Sequence, residues 1–171
     1  MARSKSDISN SAIRIFLQEL GKFYDKARGF EPFGPKKAQK EELLSFFDYQ
    51  CCFCGRSIDE RSLSLDHLIP MNKASLGLHA WGNVVPCCRD CNNEKQQKPW
   101  VEFLGIKAED LLFQERNERI REFISTKKYD PNLNLHEYAD NLYEDVGEVV
   151  MTLIRLRYKQ AEARIRQLLE V

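Results

Sequence analysis

A chain of 171 residues and 20.0 kDa has the size of one ordinary domain, or of a small domain with helical extensions, so two independent large domains are excluded. It is 43% hydrophobic and 30% charged with a mean hydropathy of -0.51, too apolar for a disordered tail and too polar for a membrane bundle. The 26 lysines and arginines balance 26 aspartates and glutamates, so overall charge gives no attraction to a polyanion.

The opening residues contain no apolar run of a secretory type, and no later window is long and apolar enough for a membrane span, which predicts an intracellular, cytoplasmic protein. The first predicted element is a helix in which Ile13, Phe16, Leu17, Leu20, Phe23, Tyr24 and Ala27 share one stripe, capped by Ser9, Asn10 or Ser11. Residues 29–35 break it, and a second helix is predicted from about Lys37 to Phe47. From Cys51 to Pro99 the texture changes to glycines and short β-prone runs, 62–69 and 83–87, and then a short helix from Asp90. One further helix is predicted near 108–124, ending at the Tyr129–Asn132 turn signals. Asn134 and Glu137 have the form of a capping box. A last helix over 134–170 would be about 55 Å long. Val146, Val149, Val150, Leu153, Ile154, Ala161, Ile165, Leu168 and Leu169 share its apolar face, and Gly147 is a candidate kink.

The six cysteines carry the first chemical signal. Cys51 with Cys54 and Cys88 with Cys91 form two C-x-x-C pairs separated by 33 residues. In a reducing compartment two such turns present four thiolates to one zinc ion, a closed structural site. Cys52 and Cys87 have no partner at that spacing on their own and are left out. The interval is longer than that of an ordinary zinc ribbon, so an insertion separates the two pairs.

That insertion contains Asp66–His67 with Pro70, then Gly82–Asn83, and leads into Cys88, Cys91, Asn92 and Lys95. Together these residues resemble the HNH, or ββα-metal, endonucleases, in the branch with two zinc-binding C-x-x-C pairs. The resemblance covers about 50 residues and implies an α+β fold: a ββα-metal core over 51–105 with a structural zinc site, flanked by helical segments 1–50 and 106–171. It implies metal-dependent hydrolysis of DNA phosphodiester bonds to 5′-phosphate and 3′-hydroxyl ends.

Physical reasoning assigns the roles. Phosphodiester hydrolysis needs a base for the attacking water, a hold on the phosphate and neutralisation of the leaving oxygen. Imidazole is the natural base near neutral pH, so His67 is the expected general base. Asp66, on the other face of an extended segment, and Asn92, at the start of the short helix, are expected ligands of a divalent cation. Their oxygen donors favour Mg²⁺ or Mn²⁺. The resemblance gives Asn83 the task of holding the loop that orients the base. Lys95, three residues beyond Asn92, is expected to hold a phosphate oxygen. Asn93 is the alternative to Asn92. His79 and His136 are expected at the surface without a chemical role.

The expected partner is double-stranded DNA, since nothing in the chain recognisably reads a 2′-hydroxyl or stacks single-stranded bases; an RNA nuclease stays open. Charge is uneven. Residues 1–40 hold nine basic against four acidic side chains, 106–150 six against eleven, and 151–171 five against two. The basic amino-terminal segment and Arg155, Arg157, Lys159, Arg164 and Arg166 are therefore candidate phosphate contacts. One base and one cation site per chain process one strand at a time, so the long last helix suggests a homodimer for double-strand cleavage; folded back at Gly147 it would instead complete a monomeric nickase. A zinc module that only binds nucleic acid or protein is the alternative function, and it has no need for a base beside a hard-metal ligand.

Overall fold

The computed structural model describes residues 4–34 and 36–169. Arg3 of the basic amino-terminal segment, Pro35 of the first break, Glu170 of the expected last helix and the side chain of Leu169 lie outside the described residues. Helix α1 (Lys5–Ala27) starts earlier than its apolar stripe suggests, because Ser4 and Asp7 form a capping box ahead of it. Ser9 is consequently buried inside the helix instead of capping it. Ile13 and Leu17 are fully buried, but Phe23 is 67% exposed and Ala27 is also exposed, so the buried line follows the four-residue spacing Ser9, Ile13, Leu17, Gly21, Asp25.

Asp25 fastens the end of α1 to the centre. Its carboxylate pairs with Arg28 at 2.6 Å and accepts from the amides of Phe33 at 2.8 Å and Trp81 at 3.1 Å. Helix α2 (Lys37–Phe46) follows as expected. The small sheet has two antiparallel strands, β1 (Ser64–His67) and β2 (Val84–Cys87), in register Ser64 with Cys87 through His67 with Val84. Helix α3 (Arg89–Lys95) leaves β2 directly, with Cys88 as its N-cap.

Where one helix was expected after Trp100 there are two, α4 (Trp100–Lys107) and α5 (Asp110–Thr126). The extended backbone of Ala108, which ends α4, separates them. Helix α6 (His136–Leu169) runs unbroken through Gly147, so the expected kink there is not formed. The reason is packing against α1: a Cβ on Gly147 would stand 2.7 Å from Ser9 Oγ and 2.8 Å from Lys5 Cγ. Glycine serves close approach of two helices, and the fold-back at that point is ruled out.

Two apolar clusters result. The larger joins α2, the cysteine pairs, both strands, α4 and α5, around Leu43, Phe47, Phe53, Val85, Phe103 and Phe123. The smaller joins Ile13 and Leu17 of α1, Leu76, Leu78 and Ala80 of the inserted loop, Tyr129, and Ala139 of α6. Beyond Val150 and Met151 the apolar face of α6 has no cover among the described residues: Leu153, Ile154, Ile165 and Leu168 are all at least half exposed. No described helix is long and apolar enough to cross a membrane.

Candidate active site and metal centre

The turn at 51–54 and the start of α3 bring the two cysteine pairs together. The sulfurs of Cys51, Cys54, Cys88 and Cys91 lie within 4.8 Å of one another, and Cys54 and Cys88 approach to 3.8 Å. A tetrahedron with zinc–sulfur bonds near 2.3 Å has edges of about 3.8 Å, so the four thiols fit a zinc ion as they stand. The crowding shows in their acidity. The hydrogen bond between the Cys51 and Cys91 thiols pulls Cys51 down, and the same contact pushes Cys91 up. Cys52 and Cys87 stay outside this group: both are buried in the core, and burial raises both thiols.

The Cys88–Cys91 turn opens α3, and α3 carries Asn92 towards β1. A cleft of about 830 Å³ opens between α1, the turn at 70–74 and α3, bordered by Asp66, His67, Asn92, Arg14 and Lys73. Asp66, His67 and Asn92 thus meet at one opening, whereas Asn93 is exposed and outside it. Asp66 is nearly buried, and its Oδ2 faces the Lys95 ammonium at 3.0 Å without an aligned hydrogen bond. Burial pushes its carboxyl up, and the Lys95 charge opposes that. A buried carboxylate oxygen with unused acceptor capacity, on a cleft that Asn92 also borders, suits an oxygen-preferring cation.

Lys95 differs from expectation. It is 0% exposed, donates to His67 O at 2.7 Å and pairs with Asp66, so its ammonium turns beneath β1 and does not reach into the cleft to hold a phosphate. The reason is its place as the last residue of α3, facing the strand. Asn83 is also fully buried. Its Oδ1 accepts from Ile69 N at 2.8 Å and its Nδ2 donates to Ile69 O at 3.1 Å and Leu78 O at 2.8 Å, which clamps the chain following β1 to the inserted loop.

His67 is half-buried at the cleft. Burial pushes its imidazole down to about 3, and the neighbouring His79, Lys95 and Arg14 act in the same direction, so the ring is neutral at physiological pH. Residues 51–103 match the family model described as HNH endonuclease. The HNH segment therefore contains both cysteine pairs, Asp66, His67, Asn83, Asn92 and Lys95. No curated protein matches the chain.

His79 has no counterpart among the expected site residues, and Arg14 was expected only as one of the basic amino-terminal segment. Arg14 reaches the cleft from α1, outside the HNH segment. Its signal was present: Asp7, Asn10, Ser11 and Arg14, spaced as one helical face, are the residues by which α1 lines the cleft. His79, expected at the surface, is half-buried, with its Nδ1 3.0 Å from His67 Nε2. Separation by 12 residues of irregular loop left no periodicity from which this contact could be read. His136 is exposed, as expected.

Proposed function

We propose that this chain is a metal-dependent endonuclease that hydrolyses DNA phosphodiester bonds, with His67 as general base. The observation that carries the reading is the convergence of a neutral imidazole, a buried carboxylate and an amide oxygen on one open cleft within the HNH segment. Cys51, Cys54, Cys88 and Cys91 hold a structural zinc. Asp66 and Asn92 hold a divalent cation, Mg²⁺ or Mn²⁺, which supplies charge neutralisation at the phosphate and the leaving oxygen. His67 accepts a proton from water as the water oxygen attacks phosphorus; the bond to the 3′-oxygen breaks and that oxygen takes a proton from solvent water, leaving a 5′-phosphate and a 3′-hydroxyl. The anionic phosphodiester entering the cleft favours the imidazolium that forms and so raises the basicity of His67 during the reaction. Arg14 stands at the opening as a phosphate contact in place of the buried Lys95.

The distal half of α6 supports a homodimer. Met151, Ile154, Tyr158, Ala161, Ile165 and Leu168 alternate spacings of three and four, the seam of a two-stranded coiled coil, and Arg157 and Glu162 flank that seam at positions that pair across parallel strands.

Supercoiled plasmid incubated with the protein and Mg²⁺ or Mn²⁺ tests the reaction. His67→Ala should lower cleavage by about 10²- to 10⁴-fold while DNA binding persists. Asp66→Ala and Asn92→Ala should raise the cation concentration needed for half-maximal rate. Full activity in excess EDTA refutes the metal-dependent reading, and DNA binding without cleavage by the wild type favours a binding module.

A further inference from the structure

His79 lies between two buried residues, Leu78 and Ala80, and is not among the residues that border the cleft, whereas His67 is. Their rings meet through His67 Nε2 and His79 Nδ1 at 3.0 Å. Two neutral imidazoles at this distance share one hydrogen, and the nitrogen of His67 left over is Nδ1. Only if His67 donates does that Nδ1 keep a lone pair for a proton.

We infer that His79 is a positioning residue for the base: its Nδ1 accepts the Nε2–H of His67, fixing both the tautomer and the ring plane that turn His67 Nδ1 towards the attacking water. This rests on the nuclease reading of His67.

The placement of His79 is supported from every side. Its amide donates to Leu17 O of α1 at 3.4 Å, and Leu78 O before it is held by Asn83. The Phe33 ring meets the imidazole edge-on at 5.2 Å between centroids. Gly21 of α1 lies so close that a Cβ there would stand 2.4 Å from His79 O. Phe33, Leu17 and Gly21 all lie outside the HNH segment, so the flanking helical region sets the position of a ring that the segment supplies.

The decisive variants are His79→Leu, which keeps bulk without an acceptor, and His79→Asn, whose amide oxygen takes the place of Nδ1. His79→Leu should lower kcat for plasmid nicking by about ten- to a hundredfold with KM within twofold, and His79→Asn should recover most of that loss. Zinc content and melting temperature should match the wild type in both. Unchanged kcat in His79→Leu, or equal losses in the two variants, would overturn the assignment. Nitrogen-15 imidazole spectra of the wild type give a reading independent of catalysis: protonated Nε2 and bare Nδ1 on His67 are expected, and the reverse tautomer refutes the inference. If the wild type cuts no DNA, the nuclease reading fails while these spectra still decide the histidine contact.

Discussion

At the scale of single residues, the site sets cations against buried groups: one neutralises a carboxylate, and the others disfavour protonation of an imidazole. Lys95 faces Asp66, Arg14 faces His67 from α1, and Lys22 faces His79, which burial likewise shifts towards the neutral form. The sign of the resulting pH dependence follows from where the proton binds. Between the ordinary value of 6.5 and about 3, the unfolded chain protonates His67 and the folded chain does not. Stability from this group is complete above 6.5 and falls on acidification through that window, by at most about 1.4 kcal/mol per pH unit. Asp66 acts oppositely, since its raised carboxyl binds a proton first in the folded state. Urea unfolding at pH 7, 6 and 5 should therefore be compared between wild type and His67→Gln: their difference shrinks or reverses with acid, and parallel curves would sink the idea. That Asp66, His67 and Asn92 come together at one cleft was legible because residue type and order mark them. The inward turn of Lys95 was not, because three residues on a short helix leave open whether a long side chain meets solvent or the strand below.

At the scale of elements, the four clustered cysteines and α3 form one unit. Cys88 caps α3, and its sulfur accepts from the Cys91 amide at 3.5 Å, so the same turn that closes the thiol group aims Asn92. Cys54→Ser should release zinc and lower the melting temperature by more than about 10 °C, read by metal analysis and calorimetry; a zinc-free wild type with the same melting point refutes the thiol site. The α1–α6 contact gives a test in which the sign decides. In a free helix Gly147→Ala would gain about 1 kcal/mol of propensity. Against Ser9, whose hydroxyl already donates to Tyr143 O at 2.7 Å, the added methyl has no room, and Gly147→Leu still less. Both changes should destabilise, Gly147→Leu by about 1–3 kcal/mol in thermal unfolding, and a stabilised Gly147→Ala would show that the two helices do not pack closely. The two strands and helices α2, α3 and α5 were readable from apolar spacing and turn residues. Helix α4 was not, since its apolar residues surround it and give no face to detect. Gly147 was misread for a related reason: within one sequence, a glycine that bends a helix and one that lets another helix approach look the same.

At the scale of the whole molecule, the distal part of α6 extends about 27 Å past the last residues that touch the body, with its apolar seam and five basic residues exposed together. Ending the chain after Val149 should leave zinc content and melting behaviour intact and convert a dimer to a monomer in light scattering at micromolar concentration. The same truncation should make open-circular plasmid accumulate before linear product; a monomeric full-length chain refutes the pairing. The division into two apolar clusters bears on the order in which the protein is made. The larger cluster closes with Phe123 of α5, so the thiol centre has all its packing partners once that helix is synthesised. Helix α1 is made first, yet the smaller cluster that seats it against the His79 loop is completed only by Tyr129 and Ala139. A chain still emerging from the ribosome thus completes the packing of its thiol centre before α1 is seated against the His79 loop, and the cleft takes its final form only when translation reaches α6.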